Sequence, residues 1–221
     1  MAGAGYKLFG AGDILTAAQV NTYLNEQAVM VFATVAARDS ALTSVLAEGM
    51  TCYVDDITGG GAAGMCVYDG AAWQIMWSEW ISMVYDEVFE GITTGNGSWY
   101  CKEYRYSGVG MCTVRVGFTF GGTTTVDSTP VFVYPIPVDA VDRGDNVAAA
   151  FNVQMKDNST GNRYPGMLTD FNQNKGRIRA FTAGGTYAAS ANTSASIPFT
   201  WTTSDEIIIS GTYPFSTSLT A

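Results

Sequence analysis

The stretch that decides the fold is Cys112-Thr-Val-Arg-Val-Gly-Phe-Thr-Phe120, in which apolar residues occupy almost every second position. Successive side chains of a β-strand point to opposite faces of the sheet, so this alternation indicates a strand with one buried face. The polar residues Thr113, Arg115 and Thr119 belong to the other face. The residues expected in the core are Cys112, Val114, Val116, Phe118 and Phe120.

The rest of the chain after Trp77 shows a similar β pattern. Turn sequences such as Gly95-Asn-Gly97 and Gly121-Gly122 separate short apolar runs. Short strands with such turns are typical of sandwiches and jelly rolls, so we expect residues 77–221 to form a jelly-roll-like antiparallel β-sandwich. The candidate strands are 81–89, 99–106, 111–120, 130–136, 147–154, 177–182 and 206–213.

Residues 1–76 are organised differently, and we expect a small N-terminal α+β module in a protein that is mainly β. Thr16 and Gln19 match a capping box at the start of a helix. Thr34 is expected to cap a second short helix, while Met30–Phe32 either end the first helix or form a short strand. A three-stranded meander is expected from strands at 49–55, 65–68 and 72–76, joined by the glycine-rich loop 56–64 and the Asp69-Gly70 turn.

The arm and the first helix carry apolar residues in a segment too short to build a core. In the helix these residues recur at a spacing that places them on one face. We therefore expect the segment to dock on a partner and to anchor the chain there. The predicted anchor residues are Tyr6, Leu8, Phe9, Ile14, Val20, Tyr23 and Leu24.

Composition excludes several classes of partner. The net charge is −9 and the 11 basic residues are mostly scattered, so nucleic-acid binding is not expected. Since no apolar stretch approaches about 20 residues, no membrane span is expected, and residues 1–7 lack the features of a signal peptide. Charged residues are only 14%, which is typical both of proteins in dense assemblies and of all-β proteins in general.

Catalytic constellations are also missing. The chain has no histidine, which excludes serine–histidine and cysteine–histidine catalysis and mixed Cys/His zinc sites. We expect no enzyme, no metal and no cofactor. The adjacent carboxylates Asp55-Asp56, Asp86-Glu87 and Asp205-Glu206 would point to opposite faces of a strand, so solvated turns are expected there. The four cysteines form no Cys-x-x-Cys motif, and we expect them to be small buried apolar residues. They are Cys52, Cys66, Cys101 and Cys112.

Four aromatic residues lie along one candidate strand: Trp99, Tyr100, Tyr104 and Tyr106. Aromatic side chains bury a large area while keeping a polar tip, so they suit a subunit interface or a core. Aromatic faces also stack on sugars. Both interpretations, an interface or core and a platform for glycans, remain open.

Two stretches together resemble virion structural proteins of tailed bacteriophages, especially phages of actinobacteria. The first runs from Phe9-Gly-Ala-Gly-Asp-Ile-Leu-Thr16 to Val67-Tyr-Asp-Gly-Ala-Ala-Trp73 and is similar to their N-terminal module. The second includes Tyr104-Arg-Tyr-Ser-Gly-Val-Gly-Met111 and Gly117-Phe-Thr-Phe-Gly-Gly-Thr-Thr124 and resembles their C-terminal β-sandwich. Such proteins are described as minor tail proteins, head fibres or capsid decorations.

The resemblance implies a structural protein on the virion surface, made in the host cytoplasm. It implies a jelly-roll-like domain, often a homotrimer, with the major capsid protein or other virion proteins as partners and no catalytic residues to carry over. Tail fibres usually reach outward through a coiled coil, a collagen repeat or a β-helix, which this sequence lacks. We therefore expect a capsid decoration or head fibre. The alternative is a minor tail or receptor-binding protein that recognises a host-surface glycan.

Overall fold

The computed structural model describes residues 10–21, 29–83, 88–127, 132–133, 151–172, 175–184 and 187–214. The chain divides into two compact units. The N-terminal unit comprises the described residues up to Ile81 together with Tyr106–Gly110, and the second unit comprises Ser82–Arg105 and the described residues from Met111 onwards. Strands dominate both units, which confirms the expectation of a mainly β protein.

Two short helices and sixteen strands make up the described residues. The helices are α1 (Ala17–Val20) and α2 (Val35–Leu42). The strands of the first half are β1 (Met30–Thr34), β2 (Thr51–Asp56), β3 (Gly64–Tyr68), β4 (Trp73–Ser78), β5 (Ile81–Ser82), β6 (Phe89–Glu90), β7 (Ile92–Thr93) and β8 (Ser98–Gly108). Those of the second half are β9 (Met111–Thr119), β10 (Thr125–Val126), β11 (Phe132–Val133), β12 (Phe151–Lys156), β13 (Arg163–Asn172), β14 (Lys175–Gly184), β15 (Tyr187–Asn192) and β16 (Glu206–Pro214).

The N-terminal unit is built on a four-stranded sheet in the order β1-β2-β3-β4. The predicted meander forms β2, β3 and β4, and Met30–Phe32 belong to a strand, β1, that adds to β2 in parallel. A parallel pair needs a crossover connection, and α2 lies within it. Thr34 caps α2 by accepting a hydrogen bond from the Ala37 N–H at 3.1 Å, and the Thr16–Gln19 capping box is present on α1, so both predicted caps are confirmed.

A ten-stranded sheet runs in the order β5-β8-β9-β16-β12-β13-β14-β11-β6, with β15 paired to β14. Strands β9 and β16 are antiparallel and pair at nine positions, from Met111 opposite Pro214 to Thr119 opposite Glu206. On its other side β16 pairs with β12, so this late strand separates β9 from β12. A separate two-stranded sheet joins β7 and β10.

The alternation in Cys112–Phe120 is confirmed, because all five predicted core residues are buried. Phe118 has no exposed surface and lies at the centre of an aromatic cluster, with ring centroids 4.7 Å from Trp99 and 5.4 Å from Phe120. Across the ladder, Ile207 and Ile209 are also fully buried. Each such side chain stabilises the fold by about 1.5–3 kcal/mol relative to an exposed position.

One strand prediction is wrong, and two strands were not predicted. Residues 81–89 are not one strand, since β5 and β6 lie at opposite ends of the sheet order. Strand β13 was not predicted, because Pro165 and Gly166 interrupt its apolar pattern; Pro165 is nevertheless accommodated opposite Gln154. Strand β15 was not predicted either, because its Ala-Ala-Ser-Ala run has no alternating large side chains.

Candidate interaction surfaces

The described part of the predicted anchor is an exposed, locally ordered segment. The Gly10 N–H donates to the Asp13 carboxylate at 2.8 Å, which closes a turn just before the apolar residues. Ile14 follows this turn and is 89% exposed, while Val20, on α1, is half-buried. The other predicted anchor residues, Tyr6, Leu8, Phe9, Tyr23 and Leu24, lie outside the described residues.

A row of large apolar side chains crosses one face of the N-terminal sheet, a feature the sequence analysis did not identify. Val31 on β1 is opposite Tyr53 on β2, Tyr53 is opposite Met65 on β3, and Met65 is opposite Trp77 on β4. The Tyr53 and Trp77 rings lie 6.3 Å apart between centroids, which places both on the same side of the sheet. We call Val31, Tyr53, Met65 and Trp77 the transverse row.

The two faces of this sheet differ sharply in burial. On the face that carries α2, Cys52, Val54 and Ile75 are buried. On the opposite face Val31 is 67% exposed and Trp77 is 41% exposed, while Tyr53 and Met65 are half-buried. A register shift between β3 and β4 leaves Met76 as an extra residue beside Trp77, so both side chains are partly exposed.

Exposed large apolar side chains concentrate on the N-terminal unit. Of the twelve among the described residues, nine belong to that unit and three to the other. Isolated exposed apolar residues are normal, but the members of the transverse row are neighbours on adjacent strands, and such a set marks an interaction surface. The nine are Ile14, Leu15, Val29, Val31, Val45, Leu46, Met76, Trp77 and Val109, and the three are Tyr100, Met111 and Phe181.

The four aromatic residues of β8 do not share one exposed face. Tyr104 and Tyr106 are buried, Trp99 is half-buried and stacks on Phe89 with ring centroids 5.3 Å apart, and Tyr100 is 54% exposed. The inward side of the strand changes from odd-numbered residues at its start to even-numbered residues after Lys102. Tyr100 is therefore the one member of this set with a largely exposed ring.

Tyr100 lies flat against a glycine of the neighbouring strand. A Cβ atom built on Gly117 would be 2.2 Å from Cε2 of Tyr100, so only glycine leaves room for the ring. Partial burial, followed by the negative charge of Glu206, raises the pKa of Tyr100 to about 12. The phenol thus stays protonated and is available as a hydrogen-bond donor.

Among the adjacent carboxylates that the structure describes, Asp56, Asp205 and Glu206 have structural partners, and the expected solvated turn is wrong for Asp205. Asp205 is fully buried and accepts the Asn158 N–H at 2.9 Å, and Glu206 pairs with Lys156 at 2.8 Å. Asp56 accepts hydrogen bonds from loop N–H groups, which lower its pKa. Asp86 and Glu87 lie outside the described residues.

Within the described ranges, no group of three or more His, Cys, Asp or Glu side chains is arranged to hold a metal ion. In the same part of the chain, no helix has the length and hydropathy needed to cross a membrane. No protein-family model, curated protein or solved structure compared with this chain matches it. The functional inference therefore depends on the sequence resemblance and on the two surfaces described above.

Proposed function

We propose that this chain is a structural protein displayed on the surface of a tailed-bacteriophage particle, of the capsid decoration or head fibre type. The N-terminal unit attaches the chain to the major capsid protein or to another virion protein. The second unit forms a jelly-roll-like β-sandwich that is the displayed part and associates as a homotrimer. The protein acts by assembly rather than by catalysis.

The observation that carries this proposal is the exposed apolar surface of the N-terminal unit. The transverse row spans every strand of its sheet, and the exposed Ile14 and Leu15 add to it in the same unit. Leaving such side chains in water is unfavourable, and covering them with a partner recovers about 25 cal/mol per Å² of buried apolar area. A protein that functions while attached to a particle accounts for this surface.

The large sheet presents a different kind of face, which supports its role as the displayed part. Opposite its buried residues, Thr113 and Thr212 hydrogen-bond through their hydroxyls at 2.8 Å, and Lys156 pairs with Glu206 at 2.8 Å. Such polar side chains remain compatible with water. Few charges and many hydroxyls also suit a protein packed densely among copies of itself.

Localisation on purified particles tests the proposal. Gold-labelled antibodies against the chain are expected to decorate capsids. Label confined to tails would instead support a minor tail protein, and the absence of the chain from particles would overturn both. Sedimentation of the purified chain well above micromolar concentration is expected to give a trimer, and a monomer would contradict that part of the proposal.

Tyr100 favours a second candidate function, a receptor-binding protein that recognises a host-surface glycan. Its ring lies close to Gly117, and the residue is 54% exposed, which leaves ring surface for stacking on a sugar. The test is binding of the full chain to an array of host-surface glycans, comparing Tyr100→Ala with Phe181→Ala, which removes another exposed aromatic of the same unit. Glycan binding lost only in Tyr100→Ala would support this function, and no binding by the unaltered chain would reject it.

A further inference from the structure

Two free cysteines face each other across the N-terminal sheet. Cys52 on β2 is directly opposite Cys66 on β3, and both are buried. Directly opposed residues of antiparallel strands have Cα atoms about 4.5–5.5 Å apart. A disulfide needs a Cα separation of about 4.4–6.8 Å, so the backbone already holds this pair at bonding distance.

A buried arginine lies beside this pair. Arg38 on α2 is 5% exposed and interacts with the Asp39 carboxylate, with Nη2 2.7 Å from Oδ1. Its guanidinium also lies 4.7 Å from the centroid of the Trp73 ring. These contacts hold a positive charge near two thiols. The hydrogen bond from Cys52 and the charge of Arg38 lower the pKa of the Cys66 thiol, whereas the hydrogen bond to Cys66 and burial raise that of Cys52.

A cavity of about 320 Å³ reaches one of the two thiols. Cys66 lines this cavity together with Arg38 and Trp73, whereas Cys52 does not. Asp56 and the first residues of α2 contribute to the wall. The cavity therefore gives a small molecule access to Cys66, whereas Cys52 is not part of its wall.

We propose that Cys66 and Cys52 form a thiol site that reacts with small hydroperoxides, in which Cys66 is oxidised first and Cys52 then closes a cross-strand disulfide. A neutral hydroperoxide fits a cavity whose wall carries one cation and one carboxylate. This site is independent of where the protein is located, because it depends only on the register of β2 and β3, on Arg38 and on the cavity.

The reaction balances in two steps. The Cys66 thiolate attacks one oxygen of hydrogen peroxide, the O–O bond breaks, and a sulfenic acid forms while the departing hydroxide takes the thiol's proton to become water. The Cys52 sulfur then attacks the Cys66 sulfur, the S–O bond breaks, and the leaving hydroxide takes the Cys52 proton to become a second water. Two thiols lose two electrons, and one peroxide is reduced to two waters.

The test is oxidation of the full chain with stoichiometric hydrogen peroxide, followed by alkylation in denaturant and intact-mass and peptide analysis. The expected result is the loss of two alkylation sites and a linked peptide pair containing Cys52 and Cys66. Cys101 and Cys112 serve as internal controls, because burial raises the pKa of each. Oxidation that starts at Cys101 or Cys112, or no linked pair, would overturn the proposal.

Substitutions separate the roles of the two cysteines. Cys52→Ser is expected to stop the reaction at a Cys66 sulfenic acid that a dimedone probe labels, whereas Cys66→Ser should leave Cys52 unlabelled. In the Cys52→Ser background, Arg38→Gln is expected to slow dimedone labelling of Cys66, because it removes a charge that lowers the pKa of this thiol, and Arg38→Lys should restore part of the rate. Equal labelling of Cys52 and Cys66 in the two serine variants would contradict the assigned order. If these variants do not fold, the peptide map of the unaltered chain decides the outcome.

Discussion

Val31→Lys tests whether the transverse row attaches the chain to a particle. Val31 lies on β1, is 67% exposed, and is paired with Tyr53 of β2. Fully burying a valine is worth about 1.5–3 kcal/mol, so about 1–2 kcal/mol remains to be gained when a partner covers this side chain. A lysine at this position loses that favourable free energy of burial, and its ammonium group must also be desolvated when the partner binds.

The expected effect is at least about 5- to 30-fold weaker attachment, because each 1.4 kcal/mol is a factor of ten in the binding constant. The unfolding free energy should change by less than about 1 kcal/mol, since the side chain is mostly in water before attachment. The assay is the copy number of the variant on purified particles, produced in a phage that lacks the unaltered gene. Urea unfolding of the isolated chain checks its stability.

Val109→Lys is the matched control, because Val109 is 56% exposed in the same unit but lies outside the transverse row. We expect it to be incorporated at the level of the unaltered chain. Particles that carry Val31→Lys at that same level would refute the assignment of this face. An equal loss for both variants would show that general surface charge, rather than the row, controls attachment.

Three further predictions concern the fold itself. Gly166→Ala should lower the unfolding free energy by about 1–3 kcal/mol in urea titrations, since its Cβ would be 2.3 Å from the backbone oxygen of Arg179, whereas Gly122→Ala, with its nearest contact at 3.6 Å, should be nearly neutral. Phe118→Ala should lower the unfolding free energy by about 3–5 kcal/mol, because the ring is fully buried. If the unaltered chain is less stable than that, cooperative thermal unfolding should be lost. A decrease of less than about 1 kcal/mol would contradict the central place of Phe118 in the core. Backbone N–H groups hold the pKa of Asp69 below its usual value, so its contribution is present above pH of about 4 and is lost as the pH falls through the lowered pKa. Asp69→Asn should therefore reduce the acid-induced fall in unfolding free energy, measured as a function of pH, and an unchanged pH dependence would contradict this.

The local sequence patterns were sufficient to predict most of the individual helices and strands, but not which strands pair with each other. The alternation in Cys112–Phe120 showed which side chains enter the core, because that depends on the two-residue period alone. It could not show that β16 pairs with β9, since Ile209 and Val116 are far apart in the chain and any apolar strand of suitable length would fit the pattern. Strand pairing depends on tertiary packing, which a single sequence does not display.

The candidate surfaces illustrate the same difference. Tyr53 could have been assigned to an outward face, because it alternates with Cys52 and Val54 in β2. Its alignment with Trp77 depends on the extra residue Met76, which shifts the register of β4 by one position. Tyr100 and Tyr104 have the even spacing of residues on one face of a strand, but the change of inward side within β8 separates them. An irregularity of a single residue in β4 or β8 therefore determines which side chains are exposed together in the transverse row and around Tyr100.

The position of β16 has a consequence for how the protein is made on the ribosome. Strands β9 and β12 both pair with β16, so each lacks one of its hydrogen-bonded neighbours until residues 206–214 have emerged from the ribosome. A nascent chain that stops earlier exposes two unpaired strand edges and the apolar face around Val116, features that promote aggregation and recognition by chaperones. The four strands of the N-terminal sheet, in contrast, are all synthesised by Ser78 and pair only with one another. The N-terminal sheet can therefore form early in translation, whereas the large sheet is complete only near its end. We expect truncated chains to be recognised by chaperones and proteases.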